Sequence, residues 1–430
     1  MTRVLVLSTT TGYQLRAFND AARTLGIELL FATDRCDHLE DPWQDAAIPV
    51  RFYEPDAGVA AIRDAAARRP VDGVIAVGDR PMPLAARAAE ALGISWHSVD
   101  GAAASIDKRR ARAALAQAGL PSPRFSALPV TADGRFAAGP FRPPAAPIGF
   151  PCVLKPVGLS GSRGVIRANS ESEFAEAFNR LRGLLARPQI RSSRDGLDGE
   201  ILVEQYIAGR EYALEGVMTR GGLTSFAIFD KPDPLVGPYF EETIYVTPTH
   251  LAAAQHASVV AHVERAARAL GLIHGPIHAE CRVTLEGMVY VLEVAGRPIG
   301  GLCSRVLRFQ PGPVSLEEVL LRHALGEPIE RFTREADAAA VMMIPIPRRG
   351  LLKRVAGEDA ARGIPGVEDV RITAKSDQLL ETLPEAGSYL GFIFARATTA
   401  DDAERAVRAA HAALHFQIDE EIAVKAAGPA

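Results

Sequence analysis

Apolar positions in the first hundred residues follow two periods in turn. Residues 4–8 form a short continuous apolar run, the mark of a strand buried on both faces, and residues 14–25 repeat apolar positions at helical spacing. Residues 27–32 and 50–53 read as a second and third strand, 59–68 as a helix, 71–77 as a fourth strand, and 81–92 as a helix that Gly93 closes. Short strands alternating with helices predict a parallel sheet covered on both faces. The first strand-to-helix turn, Thr9 to Gly12, lacks GxGxxG spacing. This segment therefore reads as a scaffold and not as a nucleotide site.

Further on, residues 107–120 repeat as an amphipathic helix that stops at Gly119-Leu120-Pro121. A proline-rich stretch over 140–151 predicts an exposed connection. From 151 to 308 the pattern is strand-rich. Residues 311–330 look helical, and 338–420 read as short strands followed by a helix over 400–414. No internal repeat is present.

Composition narrows the class. A length of 430 residues suggests two to four domains, and 48% hydrophobic residues can bury a sizeable core. Charged residues are 23% with a formal net charge of −4, which argues against a nucleic-acid binder. No block of like charge marks an interaction tail. Cys36, Cys152, Cys281 and Cys303 include no CxxC pair, so reduced thiols in a cytoplasmic protein are expected, without a disulfide framework or zinc site. The opening apolar run is too short for a signal peptide. No run approaches the ~18 apolar residues of a membrane span.

Three segments carry candidate chemistry. A buried strand ends in Lys155-Pro156 and runs into a loop containing Gly158, Ser160, Gly161, Ser162 and Gly164. Glycines let backbone approach phosphate oxygens, and successive N–H groups in such a loop form an anion-binding concavity. This is not a Walker A loop, since no Gly-Lys-Ser/Thr ends it. Next, the strand over 201–203 leads into Glu204-Gln205-Tyr206-Ile207, with Glu211 seven residues after Glu204. By themselves both glutamates read as solvent-facing. A functional reading puts backbone near 204–207 against an adenine edge and Glu211 on ribose hydroxyls.

The third segment alternates cleanly. Ile277, Ala279, Cys281 and Val283 share one face, and His278, Glu280, Arg282 and Thr284 the other. A second strand follows over 289–294, with Glu286-Gly287 a plausible two-residue turn. In that register Leu285 pairs with Met288 and Glu280 with Glu293. Like charges so placed destabilise a sheet unless one is protonated or a cation lies between them. Hard oxygen ligands suit Mg²⁺. A different loop length would slip the register and part the two glutamates. Arg297, four residues past Glu293, would either stabilise charge developing in phosphoryl transfer or form a salt bridge to Glu280 or Glu293.

In this order the segments resemble the ATP-grasp superfamily, and within it the L-amino-acid ligases (dipeptide synthetases), themselves similar to biotin carboxylases. The resemblance rests on Asp107-Lys108 opening a helix, Lys155-Pro156, the glycine loop, Glu204 to Ile207 with Glu211, His278-Ala279-Glu280, and Glu293 to Arg297. Residues 237–244, 300–305 and 388–394 look like that subgroup. The resemblance implies an α/β (α+β) ATP-grasp fold. A Rossmann-like domain would span 1–100, an ATP-grasp domain 101–330 with a lid at about 150–210, and a C-terminal mixed-sheet α+β subdomain 331–430. It implies that Lys108, Lys155, Ser160, Gly161 and Ser162 meet ATP phosphates, that Glu204, Gln205, Tyr206 and Ile207 hold adenine, and that Glu211 binds ribose. Glu280 and Glu293 would bind Mg²⁺, with Mn²⁺ the alternative, and Arg297 would be catalytic. Glu242, His278, Gly300 and Gly301 would shape the substrate pocket, with Lys231 and Glu241 as further candidates. One departure stands out: relatives often carry a metal-binding asparagine where this chain has Ala295. The implied activity is ATP-dependent, ADP-forming ligation of a small-molecule carboxylate to an amine, in a possible homodimer with no nucleic acid or membrane partner. A bicarbonate-dependent, biotin-carboxylase-like reaction and a non-catalytic ATP binder are the alternatives.

Overall fold

The computed structural model describes residues 2–9, 14–35, 47–130 and 144–420. At the amino terminus β1 (Arg3–Ser8), β2 (Glu28–Thr33), β3 (Ile48–Pro49) and β4 (Gly73–Val77) form a parallel sheet in the order β3-β2-β1-β4. Strand β1 serves two cores. Val4 and Val6 pack with Phe18 of α1 (Leu15–Leu25), while Leu5 and Leu7 pack with Ile62 of α2 (Pro55–Arg68) and Leu84 of α3 (Met82–Leu92). Burial on both faces is why Val4, Leu5, Val6 and Leu7 are all apolar. Gly93 closes α3 in the left-handed region at φ +67°.

In the amino-terminal segment three elements depart from the sequence reading. The third strand is Ile48–Pro49, not 50–53. Val50 still donates to Thr33 O at 2.8 Å, but Glu54 N then turns back onto Arg51 O at 2.8 Å. The turn delivers Pro55 to the first helical position, so α2 starts ahead of residue 59. Helix α4 (Val99–Ile106) was not foreseen, because its alanine-rich sequence has no clear amphipathic stripe. Ser98 caps it by accepting from Gly101 N at 2.9 Å. Asp107 ends α4 and also caps α5 (Lys108–Gln117), accepting from Arg110 N at 3.0 Å. Lys108 is thereby fixed at the first position of α5. The turn residues from Thr10 to Gly12 lie outside the described residues, as does Cys36; Cys152, Cys281 and Cys303 are free and buried.

A second, antiparallel sheet holds β5 (Phe125–Pro129), β6 (Cys152–Pro156), β7 (Ile166–Ala168) and β8 (Glu200–Gln205) in the order β5-β8-β6-β7. Phe174, Phe178, Leu181 and Leu185 of α6 (Glu171–Leu185) cover one face. Its edge strand β5 lies ahead of residue 150. Of the connection over 140–151, residues 140–143 lie outside the described residues and 144–151 are exposed or half-buried.

The main sheet has eight antiparallel strands. β9 (Arg210–Thr219), β10 (Gly222–Asp230), β11 (Ile244–Thr247), β12 (Gly275–Val283) and β13 (Val289–Ala295) run in the order β13-β12-β9-β10-β11. Strands Ala338–Ile344, Gly391–Ala397 and Val367–Ile372 continue it, so the sheet passes residue 331 without a break. Alternation sorts its residues. Ala213, Val217, Phe229, Val341 and Phe394 pack towards the amino-terminal layer. On the other face Leu214 and Ile228 pack under the helix Ala253–Leu270, and Val246, Met342 and Ile393 under the helix Ala400–Ala412. Among the described residues no helix is long and apolar enough to cross a membrane.

Candidate active site

The β12–β13 hairpin carries the centre of the site. Glu280 does pair with Glu293, but by a different route from the simple turn. Thr284 N donates to Met288 O at 3.0 Å and Gly287 N to Thr284 O at 2.9 Å, so the expected Leu285–Met288 pair does not form. The loop is Leu285, Glu286 and Gly287, with Gly287 left-handed at φ +82°. Val283 then faces Val289 and Cys281 faces Val291, and a bulge at Leu292 restores the opposition of Glu280 and Glu293. Two irregularities cancel, and the second re-aims side chains as bulges beside functional sites do.

Ile277, Ala279, Cys281 and Val283 enter the core under the helix Ala253–Leu270. His278, Glu280 and Arg282 point the other way, into a cavity of about 290 Å³ between main sheet and lid. Every candidate residue except Lys231 and Glu241 lies on its wall. The lid side brings Lys155, Ser160, Gly161 and Ser162 from β6 and the glycine loop, with Glu204, Gln205, Tyr206 and Ile207 from the end of β8. Lys108 comes from α5, and the sheet side brings Glu211, Glu242, His278, Glu280, Glu293, Arg297, Gly300 and Gly301.

Their partners differ from several expectations. Glu204 and Glu211 do not face solvent, being 1% and 8% exposed. Glu204 lies between Arg112 Nε and Lys155 Nζ, each at 2.7 Å. Burial pushes its carboxyl up, but the two cations outweigh burial and hold it at about 2. At the hinge, Tyr206 N donates to Pro151 O at 3.2 Å, and Ile207 O accepts from Arg282 Nη1 at 2.8 Å. Arg297 pairs with neither Glu280 nor Glu293. Its partner is Asp79 at the end of β4, with Nε–Oδ1 2.7 Å and Nη2–Oδ2 3.3 Å.

Buried Lys231 is the hub of the acidic wall. Its Nζ stands 2.9 Å from Glu211, 3.0 Å from Glu280 and 3.3 Å from Glu242. The other Glu211 oxygen takes Arg282 Nε at 2.9 Å. Glu280 is raised by burial but more strongly lowered by Lys231 and His278, so it stays ionised. Glu242 is raised, by burial first and then by the charge of Glu280. Oxygens of Glu211, Glu242 and Glu280 all lie within 4.8 Å of one another. Lys231 and Arg282 together fall one positive charge short of three carboxylates, and hard oxygen donors around that remaining negative charge fit a divalent cation of the Mg²⁺ kind. The donor chemistry thus suits a metal, with Glu211 and Glu242 beside the expected Glu280; the other expected ligand, Glu293, is not part of this three-carboxylate cluster.

Sequence reasoning missed four residues here. Glu215, fully buried, accepts from Ile299 N at 3.1 Å and meets His278 Nδ1 at 3.1 Å. Its signal was present: one charge within the apolar run of β9. Asp79 stood at the carboxyl end of a buried parallel strand, where ligands collect in such sheets. Arg112 lay among four basic residues of α5 and carried no distinguishing mark. Tyr389 lines the cavity from far along the chain.

A lid of antiparallel strands faces the carboxylate-bearing main sheet across this cavity, and the chain belongs to the ATP-grasp superfamily. A model for the ATP-grasp domain matches residues 148–306, one for the ATP-grasp N-terminal domain residues 19–94, and one for the L-amino acid ligase C-terminal domain 2 residues 342–419. The crystal structure of L-amino acid ligase from Bacillus licheniformis is similar in fold, with TM-score 0.77 and 24% identity over 98% of this chain and 99% of that one. The uncharacterized protein y4rH of Sinorhizobium fredii (strain NBRC 101917 / NGR234) is 30% identical over 312 residues, 73% of this chain and 61% of that protein. Alanine–anticapsin ligase of Bacillus subtilis is 30% identical over 229 residues, 50% of this chain and 46% of that protein. The chain thus spans about half the length of the curated relatives it matches.

Proposed function

We propose that the protein is an ATP-dependent, ADP-forming carboxylate–amine ligase that joins amino acids. The observation that carries this reading is the single cavity in which Lys108, Lys155 and the glycine loop face Glu280, Glu293 and Arg297. That pairing suits a polyphosphate against the basic wall, with a divalent cation between it and the carboxylates opposite.

In this reading a substrate carboxylate oxygen attacks the γ-phosphorus of ATP. An O–P bond forms, the β–γ bridge breaks and ADP leaves. The amine then attacks the acyl carbon, a C–N bond replaces the C–O bond, phosphate departs and the amine loses a proton. Lys155 and the glycine-loop N–H groups orient the phosphates. Arg297 meets charge growing on the transferring group. Glu280 and Glu293, with Glu242 beside them, would hold Mg²⁺, which supplies neutralisation of phosphate charge when bound. Lid closure keeps water from the acyl phosphate. The names of the similar ligases support amino acids as substrates.

The test is ADP release from the purified protein with Mg²⁺-ATP and pools of L-amino acids, with products followed by mass. ADP appearing only with particular pairs, beside a dehydrated dipeptide mass, is expected. ADP release that depends on bicarbonate and yields no condensed product would replace this reading with a carboxylase. Nucleotide binding without turnover in any pool would replace it with a non-catalytic binder.

A further inference from the structure

The cavity between lid and sheet is not alone. A second chamber of about 730 Å³ lies between the amino-terminal domain and the lid, and its lining shares Leu159, Ser160, Arg297, Gly300 and Gly301 with the first. Asp79 stands on the wall of this second chamber beside that junction. Its backbone follows Gly78, left-handed at φ +88°, so the chain turns sharply as it leaves β4.

The Asp79 carboxylate gathers groups from three parts of the molecule. It grips Arg297 through two nitrogens, at 2.7 Å and 3.3 Å. Burial raises the Asp79 carboxyl, but Arg297 first, then the nearby Ser160 hydroxyl of the glycine loop and the Lys108 charge from α5, hold it below its ordinary value. The third guanidinium nitrogen of Arg297 donates to Pro298 O at 3.0 Å. Glu293 and Glu215 also attract Arg297. Without Asp79 only the Pro298 carbonyl would hold the planar fork against those acids, and a two-point grip fixes its plane as a single contact cannot.

We propose that Asp79 is a positioning residue for the ligase reaction, holding Arg297 at the mouth between the two chambers and taking the Ser160 hydroxyl when the glycine loop lies over the cavity. Arg297 is thereby aligned in the same state that covers the phosphates. The amino-terminal domain is more than a scaffold, because it sets the geometry of a residue on the main-sheet side. This inference rests on the ligase reading for its kinetic consequence, and on the loop contact for a consequence that needs no turnover.

The experiment compares wild type, Asp79→Asn, Asp79→Glu, Ser160→Ala, Arg297→Ala and the Asp79→Asn/Arg297→Ala pair. Asp79→Asn keeps the shape and loses the ionic grip. It should lower kcat about 100-fold, as misplacement of a reacting group by about 1 Å does, with KM for ATP within twofold. Asp79→Glu should recover part of that loss, and Ser160→Ala should cost about three- to tenfold. In the Arg297→Ala background, Asp79→Asn should cost less than a further twofold, because both act through one group. Equal losses in both backgrounds overturn the proposal, since a merely structural Asp79 would give additive effects. A second readout is tryptic cleavage after Arg163 with Mg²⁺-ADP present. Asp79→Asn should be cut several-fold faster than wild type while binding nucleotide with unchanged affinity. If wild type turns over no substrate pair, the ligase reading fails, and this cleavage alone decides the Asp79–Ser160 link. Equal cutting of the two proteins overturns it.

Discussion

Glu280 and Glu293 stand directly opposite on β12 and β13, and a different lysine attends each: Lys231 at 3.0 Å from Glu280 and Lys108 at 3.7 Å from Glu293. The protein thus neutralises an unfavourable cross-strand pair from both ends of the cavity. The two links are unequal. The two side chains are similarly exposed, at 20% and 28%, but Glu280 shares buried Lys231 with Glu211 and Glu242, whereas Glu293 has one, more distant lysine. That asymmetry separates the two residues experimentally.

Glu280→Gln should reduce ADP release at least 100-fold at any Mg²⁺ concentration, because it removes charge that Lys231 and a metal both need. Glu293→Gln should be partly rescued, with the Mg²⁺ concentration for half-maximal rate rising about tenfold. A Mg²⁺ titration of both variants checks this. Normal activity in Glu280→Gln would falsify its assignment.

The lid is fastened to the carboxyl-terminal segment by two arginines, Arg180 through a two-nitrogen fork and Arg187 through Nη1 alone. Arg180 meets both oxygens of Glu385 at 2.6 Å and 2.8 Å, Arg187 meets both of Glu381 at 2.8 Å and 2.9 Å, and Gly164 N donates to Pro384 O at 2.8 Å. Partly exposed ion pairs are worth up to about 1 kcal/mol each. Glu381→Ala with Glu385→Ala should therefore shift lid closure by roughly five- to thirtyfold. Because neither glutamate lines the cavity, the expected signature is leakage: more ADP formed per amide produced, as water reaches the acyl phosphate. The ADP-to-amide ratio measures it, and an unchanged ratio refutes the latch.

Local patterns foretold much of this, and the exceptions have physical causes. The amino-terminal alternation was legible because its strands are buried on both faces. The β12 faces were legible because one packs on a helix and the other on a cavity. The Glu280–Glu293 opposition was inferred from a two-residue turn, whereas the structure reaches it through a three-residue loop and a bulge, which leave no separate mark in hydrophobic pattern. Long-range partners were not legible. Arg297 meets Asp79 across 218 positions, and Lys155 and Arg112 share Glu204, since ion pairing between distant segments has no period to read.

Gly164 ends the glycine loop at φ +76°, and a Cβ there would stand 2.5 Å from Pro156 Cγ. Gly164→Ala combines backbone strain with a collision against a rigid ring. It should raise KM for ATP about tenfold or more, with little change in global unfolding, because the loop lies at the edge of the lid core. By contrast, a Cβ on Gly161 meets nothing within 4 Å, so Gly161→Ala tests the dihedral alone and should cost less. Nucleotide affinities of the two variants provide the comparison.

Glu204 gives a prediction about stability and pH. It is buried between Arg112 and Lys155, and its carboxyl is lowered to about 2 from an ordinary 4.5. Because the folded value is the depressed one, the stabilisation is fully present above about pH 4.5 and declines as pH falls towards 2. The difference corresponds to roughly 3 kcal/mol, of which about 2 kcal/mol should be gone by pH 3. Glu204→Gln keeps the shape but leaves Arg112 with an unpaired buried charge, a loss of the same order, about 3–5 kcal/mol. Urea unfolding of wild type and Glu204→Gln from pH 7 to pH 3 should therefore show a wide gap that narrows on acidification. A gap that stays constant over that range would mean that Glu204 is not held as an ion between the two cations, and the support it lends to Lys155 in the cavity wall would have to come from packing alone.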